Sequence, residues 1–186
     1  MRVIAGKVRR MTLVTPPGND VRPTTDRIKE TLFNIIQGDL YECEFLDLFA
    51  GSGGIGIEAL SRGASKAVFV DKNKDSLRCI EQNLSHTGLE DDAEVLPMDA
   101  LQAVRNLAKR NKRFDIVFMD PPYEAGMEQP VLETLAGSGI IDEDTIIIVE
   151  TSLRTDVEEW ENGSYEIERI KRYKTNQHVF IRYIAE

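Results

Sequence analysis

The chain has 186 residues, of which 41% are hydrophobic and 30% charged, and its formal net charge at pH 7 is −9. This size and composition predict one domain with a single core and leave little room for a second domain. No apolar run reaches the roughly 20 residues of a transmembrane helix, and residues 1–20 lack the apolar segment of a signal peptide, so we expect a soluble cytoplasmic protein without a membrane partner. Cys43 and Cys79 belong to no CxxC pair, so we expect neither a disulfide framework nor a zinc site.

Basic side chains are concentrated near the N-terminus. Residues 1–30 hold seven basic and three acidic side chains, so this stretch carries +4 and the remaining residues carry −13. Such an asymmetry is typical of a polyanion-facing end on an acidic body, and a solvated basic hairpin is the alternative explanation. If the partner is a nucleic acid, basic side chains would contact its phosphates. The candidates for such contacts are Arg2, Lys7, Arg9, Arg10, Arg22 and Arg27.

The pattern of the first 38 residues predicts an extension that packs on a core domain. Apolar and basic residues mix between positions 2 and 15, with Gly6 as a bend, and this pattern predicts a short hairpin. A loop follows, and Thr25 or Asp26 then caps a helix whose apolar face repeats at helical spacing. We expect Gly38 to end this helix.

From residue 44 to residue 186, strand-like and helix-like segments alternate, which predicts a doubly wound α/β sheet. Several strand-like runs are apolar without alternation, as expected of parallel strands that are covered on both faces. A terminal hairpin, with strands at 165–173 and 178–184, should place one antiparallel strand in the sheet. The other predicted strands are 45–49, 67–70, 93–96, 116–119 and 146–149, and the predicted helices lie near 54–62, 74–87, 100–112 and 127–136.

A glycine-rich loop separates the first strand of this core from its first helix. The sequence DLFAGSGGIG at 47–56 satisfies the GxGxxG pattern through Gly51, Gly53 and Gly56. Glycines there allow a tight turn and a close approach of the backbone to a ligand at a helix N-terminus. Asp71 ends the second strand, where an acid can accept hydrogen bonds from ribose hydroxyls. Together these features predict a cofactor that contains a nucleoside.

The residues around the loop favour S-adenosylmethionine over a nicotinamide dinucleotide. S-adenosylmethionine has no phosphate for the loop to hold, and it presents an ammonium that Asp47 could meet directly or through water. Asp99, at the end of the third strand, is placed to accept from the adenine amino group, and a helix N-cap is an equally good reading of it. Lys72 lies beside Asp71, where it is either part of the site or a solvated charge.

The apolar strand 116–119 ends abruptly in Asp120, Pro121, Pro122 and Tyr123. The prolines stop both helix and sheet, so the Asp120 carboxylate and the Pro121 carbonyl are left as acceptors at the carboxyl end of a strand. With an aromatic face beside them, these acceptors suit a planar base that carries an exocyclic amino group. The alternative is a proline-rich turn with no further role, and the neighbouring glycine loop favours base recognition.

Three stretches of the chain resemble one family. These are DPPY at 120–123, DLFAGSGGIGIEALSRGA at 47–64 and RPTTDRIKETLFN at 22–34, and the RVIAGK start at 2–7 agrees with them. Together they look like the RsmD-type methyltransferases, the bacterial enzymes that methylate guanine N2 in 16S ribosomal RNA of the small subunit. One departure is Lys174, where a glycine usually follows the aromatic residue of the C-terminal hairpin.

The resemblance implies a Rossmann-like class I methyltransferase with a seven-stranded, mostly parallel sheet whose last strand is antiparallel, preceded by the hairpin and helix extension. It implies S-adenosylmethionine as methyl donor, no metal, and a monomer whose partner is 16S rRNA or the assembling small subunit. Asp120, Pro121 and Tyr123 would hold the guanine. The implied cofactor-binding residues are Asp47, Phe49, Gly51, Gly53, Gly56, Asp71, Lys72, Asp99 and Ala100.

Other functions stay open. An adenine-N6 nucleic-acid methyltransferase uses a similar acid-proline-proline-aromatic site. Two alternatives belong to other functional classes: a nicotinamide-dependent oxidoreductase and a non-catalytic ribosome-binding module that retains the fold. His86 and His178 have no partner at metal-ligand spacing, so we expect both to be ordinary surface or partly buried side chains.

Overall fold

The computed structural model describes residues 1–17, 25–123, 125–161 and 163–184. Its seven strands form a mixed sheet that is mostly parallel, and β7 (Asn176–Tyr183) is antiparallel to both of its neighbours. This confirms the predicted sheet. The chain divides into two compact units, Met1–Asp99 and Ala100–Glu186. No helix within the described ranges is both long enough and apolar enough to cross a bilayer.

The first unit contains three parallel strands in the order β3-β2-β1. Strands β1 and β2 are almost wholly buried because their residues are apolar on both faces, whereas the edge strand β3 is partly exposed. Its strands are β1 (Glu44–Leu48), β2 (Lys66–Asp71) and β3 (Ala93–Pro97), and its helices are α1 (Asp26–Ile35), α2 (Gly54–Arg62) and α3 (Lys74–Thr87).

The second unit contains four strands in the order β4-β5-β7-β6. Strands β4 and β5 are parallel and buried, and β7 pairs antiparallel with β5 on one side and with β6 on the other. Its remaining elements are α4 (Ala100–Lys109), β4 (Ile116–Met119), α5 (Glu128–Ala136), β5 (Ile146–Ser152) and β6 (Tyr165–Arg172).

Two predicted helix ends are wrong, and in both cases local hydrogen bonding explains the difference. Helix α1 ends at Ile35, and the chain then tightens into a 3₁₀ turn, Gln37–Asp39, so Gly38 lies inside that turn instead of ending α1. Helix α4 stops at Lys109 because Asn111 turns into the left-handed region at φ 53°. The predicted ranges of α2 and α3 are confirmed, as is the cap of α1, since Thr25 accepts from the Ile28 N–H.

The N-terminal hairpin is present in a minimal form. Its two arms meet at one antiparallel bridge, Arg2 to Thr12, and no continuous strands form. Backbone bonds from Val3 N to Met11 O (2.9 Å) and from Leu13 N to Met1 O (3.0 Å) hold the arms together. Gly6 supplies the predicted bend with φ 87°, and its missing side chain lets the bend lie directly on the backbone of Ser61 in α2.

A buried carboxylate fixes this extension to α2. Glu58 is fully buried, and it accepts hydrogen bonds from the backbone N–H groups of Ile4 (2.9 Å) and Ala5 (3.0 Å). Two cations neutralise it, Lys29 of α1 at 3.3 Å and Arg62 of α2 at 2.8 Å. Burial lowers the pKa of Lys29, and the adjoining Glu58 carboxylate opposes that shift. The described hairpin residues of the extension and α1 are therefore anchored to α2 through Glu58.

We expect Gly56→Ala to destabilise the protein by about 1–3 kcal/mol, because the new methyl group would overpack a closed part of the core. A Cβ at Gly56 would lie 2.3 Å from Cε1 of Phe69, and Phe69 is fully buried in β2. Urea unfolding measures the change. Gly38→Ala is the matched control, since a Cβ there meets no atom within 4 Å. Equal stability of the two variants would contradict the packing role of Gly56.

Candidate active site

The glycine-rich loop begins where the buried strand β1 ends. Phe49 directly follows β1 and adopts φ 63°, a left-handed conformation that a bulky side chain rarely takes. The Ala50 N–H bonds to Val70 O at 2.9 Å, so the loop turns back along β2. Local strain of this kind persists only where the surroundings enforce it, and it collects at functional sites.

The three glycines of the motif meet three different requirements. Gly51 (φ 57°) and Gly53 (φ 78°) lie in the left-handed region, and Gly53 is the N-cap of α2. Gly56 lies inside α2, where its missing side chain allows contact with Phe69. A Cβ at Gly51 would meet no atom within 4 Å, so the backbone at Gly51 faces open space that a ligand can enter.

Asp71 is bound to the glycine loop. Its Oδ2 accepts from the Gly51 N–H at 2.9 Å, and its Oδ1 accepts from the Asn73 N–H at 2.8 Å. The structure thus brings together the first glycine of the motif and the acid that the sequence placed at the end of β2. The carboxylate remains partly exposed beside the open face of Gly51.

Asp47 is buried beneath the loop, with only 1% of its surface exposed. Its Oδ2 accepts from the Gly56 N–H at 2.9 Å, so it satisfies one of the free N–H groups in the first turn of α2. Burial raises the pKa of Asp47 to about 7, the Gly56 hydrogen bond opposes this shift, and the charge of Asp71 adds to it. The carboxyl group therefore titrates near neutral pH.

These observations fit S-adenosylmethionine as the group held in the first unit. The open backbone at Gly51 gives room for a ligand, and the carboxylates of Asp71 and Asp47 match ribose hydroxyls and an ammonium by chemistry. Lys72 is exposed, Asp99 is partly exposed at the end of the first unit, and Ala100 is buried at the start of α4. The cofactor roles of these residues stay predictions.

The second unit carries the acid-proline-proline-aromatic motif. Strand β4 ends at Met119, as predicted, and no regular element continues through the prolines. Asp120 is partly exposed and Pro121 is buried. Tyr123 is 41% exposed, so part of this residue is open to solvent. The motif therefore presents an acid and an aromatic face at the carboxyl end of a buried strand.

A polar cluster behind Tyr123 was missed by the sequence analysis. Glu150 of β5 is 5% exposed, and it accepts from Asn176 Nδ2 at 2.7 Å and from the Tyr123 hydroxyl at 3.4 Å. His178 is fully buried, and its Nε2 lies 3.0 Å from Glu150 Oε2. The prediction of an ordinary surface or partly buried His178 is wrong, because β7 carries it into the sheet opposite Glu150. A glutamate at the end of an apolar strand was the available signal.

The predicted phosphate-binding arginines converge in the first unit. Four of them line one cavity of about 490 Å³ together with two acids. Arg2 donates from Nε to Asp26 at 2.8 Å, an exposed ion pair that contributes little to stability. Lys7 is exposed but does not line this cavity, and Arg22 lies outside the described residues. The charged lining is Arg2, Arg9, Arg10, Arg27, Asp26 and Glu30.

Comparison with known sequences identifies relatives over most of the chain. The family model described as "Conserved hypothetical protein 95" matches residues 1–184. "Ribosomal RNA small subunit methyltransferase D" of Haemophilus influenzae is 35% identical over 152 residues, which cover 81% of this chain and 78% of that protein. The protein of the same name from Escherichia coli K12 is 34% identical over 153 residues, 82% of this chain and 75% of its own length.

Solved structures agree with these sequence matches. A structure from Escherichia coli superposes on this chain with a TM-score of 0.84 at 29% identity, and the match covers 100% of this chain and 99% of that one. The shared architecture is the Rossmann-like fold of class I methyltransferases. The matched family model, the curated relatives and the fold together show that the chain belongs to the RsmD family of methyltransferases.

Proposed function

We propose that this protein transfers a methyl group from S-adenosylmethionine to the exocyclic N2 amine of a guanine in 16S rRNA of the small ribosomal subunit. The observation that carries the proposal is the end of β4, where Asp120 and Tyr123 are accessible around the buried Pro121. The names of the Haemophilus influenzae and Escherichia coli relatives support small-subunit rRNA as the substrate. The proposed enzyme acts as a cytoplasmic monomer with a single methyltransferase domain.

The residues of the first unit hold the methyl donor in this proposal. Gly51 and Gly53 supply the turn, Asp71 accepts from the ribose, and Asp47 attracts the ammonium through its carboxylate. Asp99 accepts from the adenine amine. S-adenosylmethionine supplies a methyl group that is already activated by its sulfonium. The chain therefore has no need to activate the donor, and its main contribution is positioning.

The residues of the second unit act on the amine. A guanine N2 lone pair is delocalised into the ring, so the amine is a weak nucleophile. Hydrogen bonds from the amine to the Asp120 carboxylate and the Pro121 carbonyl favour a pyramidal nitrogen and stabilise the positive charge that develops on it. In this proposal the Asp120 carboxylate accepts the proton that the amine releases, and Tyr123 stacks on the base.

The base must leave its stack to reach these residues, and loops of RNA present bases at a lower cost than duplexes do. Phosphate contacts from the arginine-lined cavity would hold the RNA while the base is presented. The choice of guanine over adenine rests on family membership, because an acid, a carbonyl and an aromatic face would also accept an adenine amine.

One experiment tests the proposed function directly. Tritiated methyl transfer onto unmodified small ribosomal subunits, followed by nucleoside analysis, is expected to yield N2-methylguanosine. N6-methyladenosine would instead support the adenine-specific alternative. The affinities for S-adenosylmethionine and NAD are compared by equilibrium binding, and tighter binding of NAD would favour the oxidoreductase alternative. Binding of ribosomal subunits without any methyl transfer would favour a non-catalytic module.

We expect Asp120→Ala to abolish methyl transfer, because the amine loses its charged acceptor, while the affinity for S-adenosylmethionine stays within about twofold of wild type. Single-turnover methylation and isothermal titration measure the two properties. Glu143→Ala is the control, since it removes an exposed acid from the same unit. Turnover by Asp120→Ala at the wild-type rate would contradict the assignment.

Asp47 should make cofactor binding pH-dependent. With a folded-state pKa of about 7, its ionised fraction rises about eightfold between pH 6 and pH 7.5, and the affinity for the ammonium should rise with it. Stability should change in the opposite sense, because a raised pKa stabilises the folded state below pH 3.8 and this contribution is lost as pH rises through 7. Asp47→Asn should flatten both profiles, and a variant with an unchanged binding profile would rule out the ammonium contact.

Neutralising three arginines of the cavity should weaken RNA binding and flatten its salt dependence. For Arg9→Gln, Arg10→Gln and Arg27→Gln combined, the slope of log K against log salt should fall by about 2. Filter binding from low to moderate salt measures this slope. Replacing the exposed Arg105, Lys109 and Arg154 by glutamine removes the same charge elsewhere. If both triple variants reduce the slope of log K against log salt by the same amount, the cavity is not a specific RNA contact.

A further inference from the structure

We propose that Glu150 is a positioning residue, which holds the Tyr123 hydroxyl from a buried hydrogen-bonded cluster and so fixes the aromatic face on which the target base stacks. This inference rests on the proposed function, in which Tyr123 contacts the base. The cluster lies entirely within the second unit, and its members are Tyr123, Glu150, Tyr173, Asn176 and His178.

The pairing of β5 with β7 sets the geometry of the cluster. Glu150 lies directly opposite His178, and Ser152 lies opposite Asn176, so both partners of the carboxylate come from one antiparallel strand. The backbone register therefore places Glu150 between two side-chain nitrogens, Asn176 Nδ2 at 2.7 Å and His178 Nε2 at 3.0 Å. The carboxylate is held by the sheet and does not depend on a flexible loop.

His178 contacts two neighbours through its two ring nitrogens. Its Nε2 lies 3.0 Å from Glu150 Oε2, and its Nδ1 lies 3.2 Å from the Tyr173 hydroxyl oxygen. The tautomer with the proton on Nε2 donates to Glu150 and accepts at Nδ1 from the Tyr173 hydroxyl. Burial raises the pKa of Tyr173 to about 12, with the Glu150 charge as a second cause, which keeps this hydroxyl protonated.

Ring packing limits the movement of His178. The ring of Phe118 meets it edge to face with centroids 6.0 Å apart, and the ring of Tyr173 does so at 5.0 Å. The imidazole is thus restrained by two aromatic rings as well as by its two hydrogen bonds. A restrained imidazole restrains the carboxylate that it contacts.

Asn176 shows that the cluster is not optimised for stability alone. Its Nδ2 must face the carboxylate, which leaves its Oδ1 buried without a hydrogen-bond partner among the described residues. An unpaired buried acceptor is costly, and an apolar side chain in its place would avoid that cost. The amide is explained if a second donor toward Glu150 matters for what the carboxylate does.

Tyr123 is the most exposed member of the cluster. Its ring is 41% exposed and follows two prolines, and its hydroxyl lies 3.4 Å from Glu150 Oε1. This is a long and therefore weak hydrogen bond, and it joins the exposed ring to the buried carboxylate. Holding the ring in one orientation before the base arrives removes an ordering cost from the binding step.

The main test uses Tyr123→Phe, which removes the hydroxyl, keeps the aromatic face and affects a side chain too exposed to threaten folding. We expect kcat/KM for rRNA methylation to fall about tenfold, while the affinity for S-adenosylmethionine and the Tm are unchanged. Tyr41→Phe is the matched control, because Tyr41 is a highly exposed tyrosine in the first unit. A Tyr123→Phe enzyme with wild-type kcat/KM would overturn the proposal.

Glu150→Gln tests whether the hydroxyl acts through this carboxylate. We expect Glu150→Gln alone to lower kcat/KM as Tyr123→Phe does, and to add less than a further twofold in the Tyr123→Phe background. Fully additive effects would mean that Glu150 acts on the fold and not on Tyr123, and would overturn the proposal. Glu150→Asp, which retains the charge, should recover part of the activity.

A measurement without substrate separates this inference from the proposed function. The protein is labelled with ¹³C at tyrosine Cε, and the NMR signal of Tyr123 is assigned from its loss in Tyr123→Phe. We expect NMR relaxation of this signal to show an ordered ring in wild type and a mobile ring in Glu150→Gln. If wild type methylates no rRNA but this change occurs, the proposed function fails and the positioning contact stands. If Tyr123 is equally mobile in both proteins, the positioning contact fails whatever the activity.

Discussion

Burial of the parallel strands on both faces is the constraint on which this structure depends. Strands β1, β2, β4 and β5 have almost no exposed surface, so polar groups concentrate near the strand ends. A carboxylate placed there must find donors close by. Asp47 finds the Gly56 N–H, Asp71 finds the Gly51 and Asn73 N–H groups, and Glu150 finds donors on β7. The same requirement therefore builds the glycine loop and the cluster behind Tyr123.

A second buried carboxylate determines where the basic extension lies. Glu58 takes two backbone N–H groups of the hairpin and two cations, so the extension and α2 share one charge centre with little access to water. Removing one partner of a buried ion pair is strongly destabilising, because the remaining charge stays desolvated. The exposed arginines need not contribute to this attachment and are available for a polyanion. An acidic protein can thus present a basic surface that is anchored to its core through Glu58.

Sequence reasoning succeeded where a local signal decides the structure. Helices α2 and α3 end where glycines follow, and β4 ends where two prolines follow. It failed where a contact from elsewhere in the chain decides. The burial of His178 is set by its pairing with Glu150 across the sheet. The error at the end of α1 is a separate, local one, because a 3₁₀ turn follows Ile35 and contains Gly38. The site residues divide in the same way, because Asp71 was found by spacing and Glu150 was not.

The sequence by itself determined the family, the order of the elements and the motif residues, since glycines, prolines and carboxylates act through local backbone geometry and fixed spacing. Only the tertiary structure decided the ionisation, the packing and the hydrogen-bond partners of those residues. Asp47 titrates near 7 because the fold buries it, and Gly56 is needed because Phe69 packs against it. Glu150 and His178 are partners because β5 and β7 pair in one register. Burial and strand register are properties of distant contacts, which no stretch of the chain contains alone.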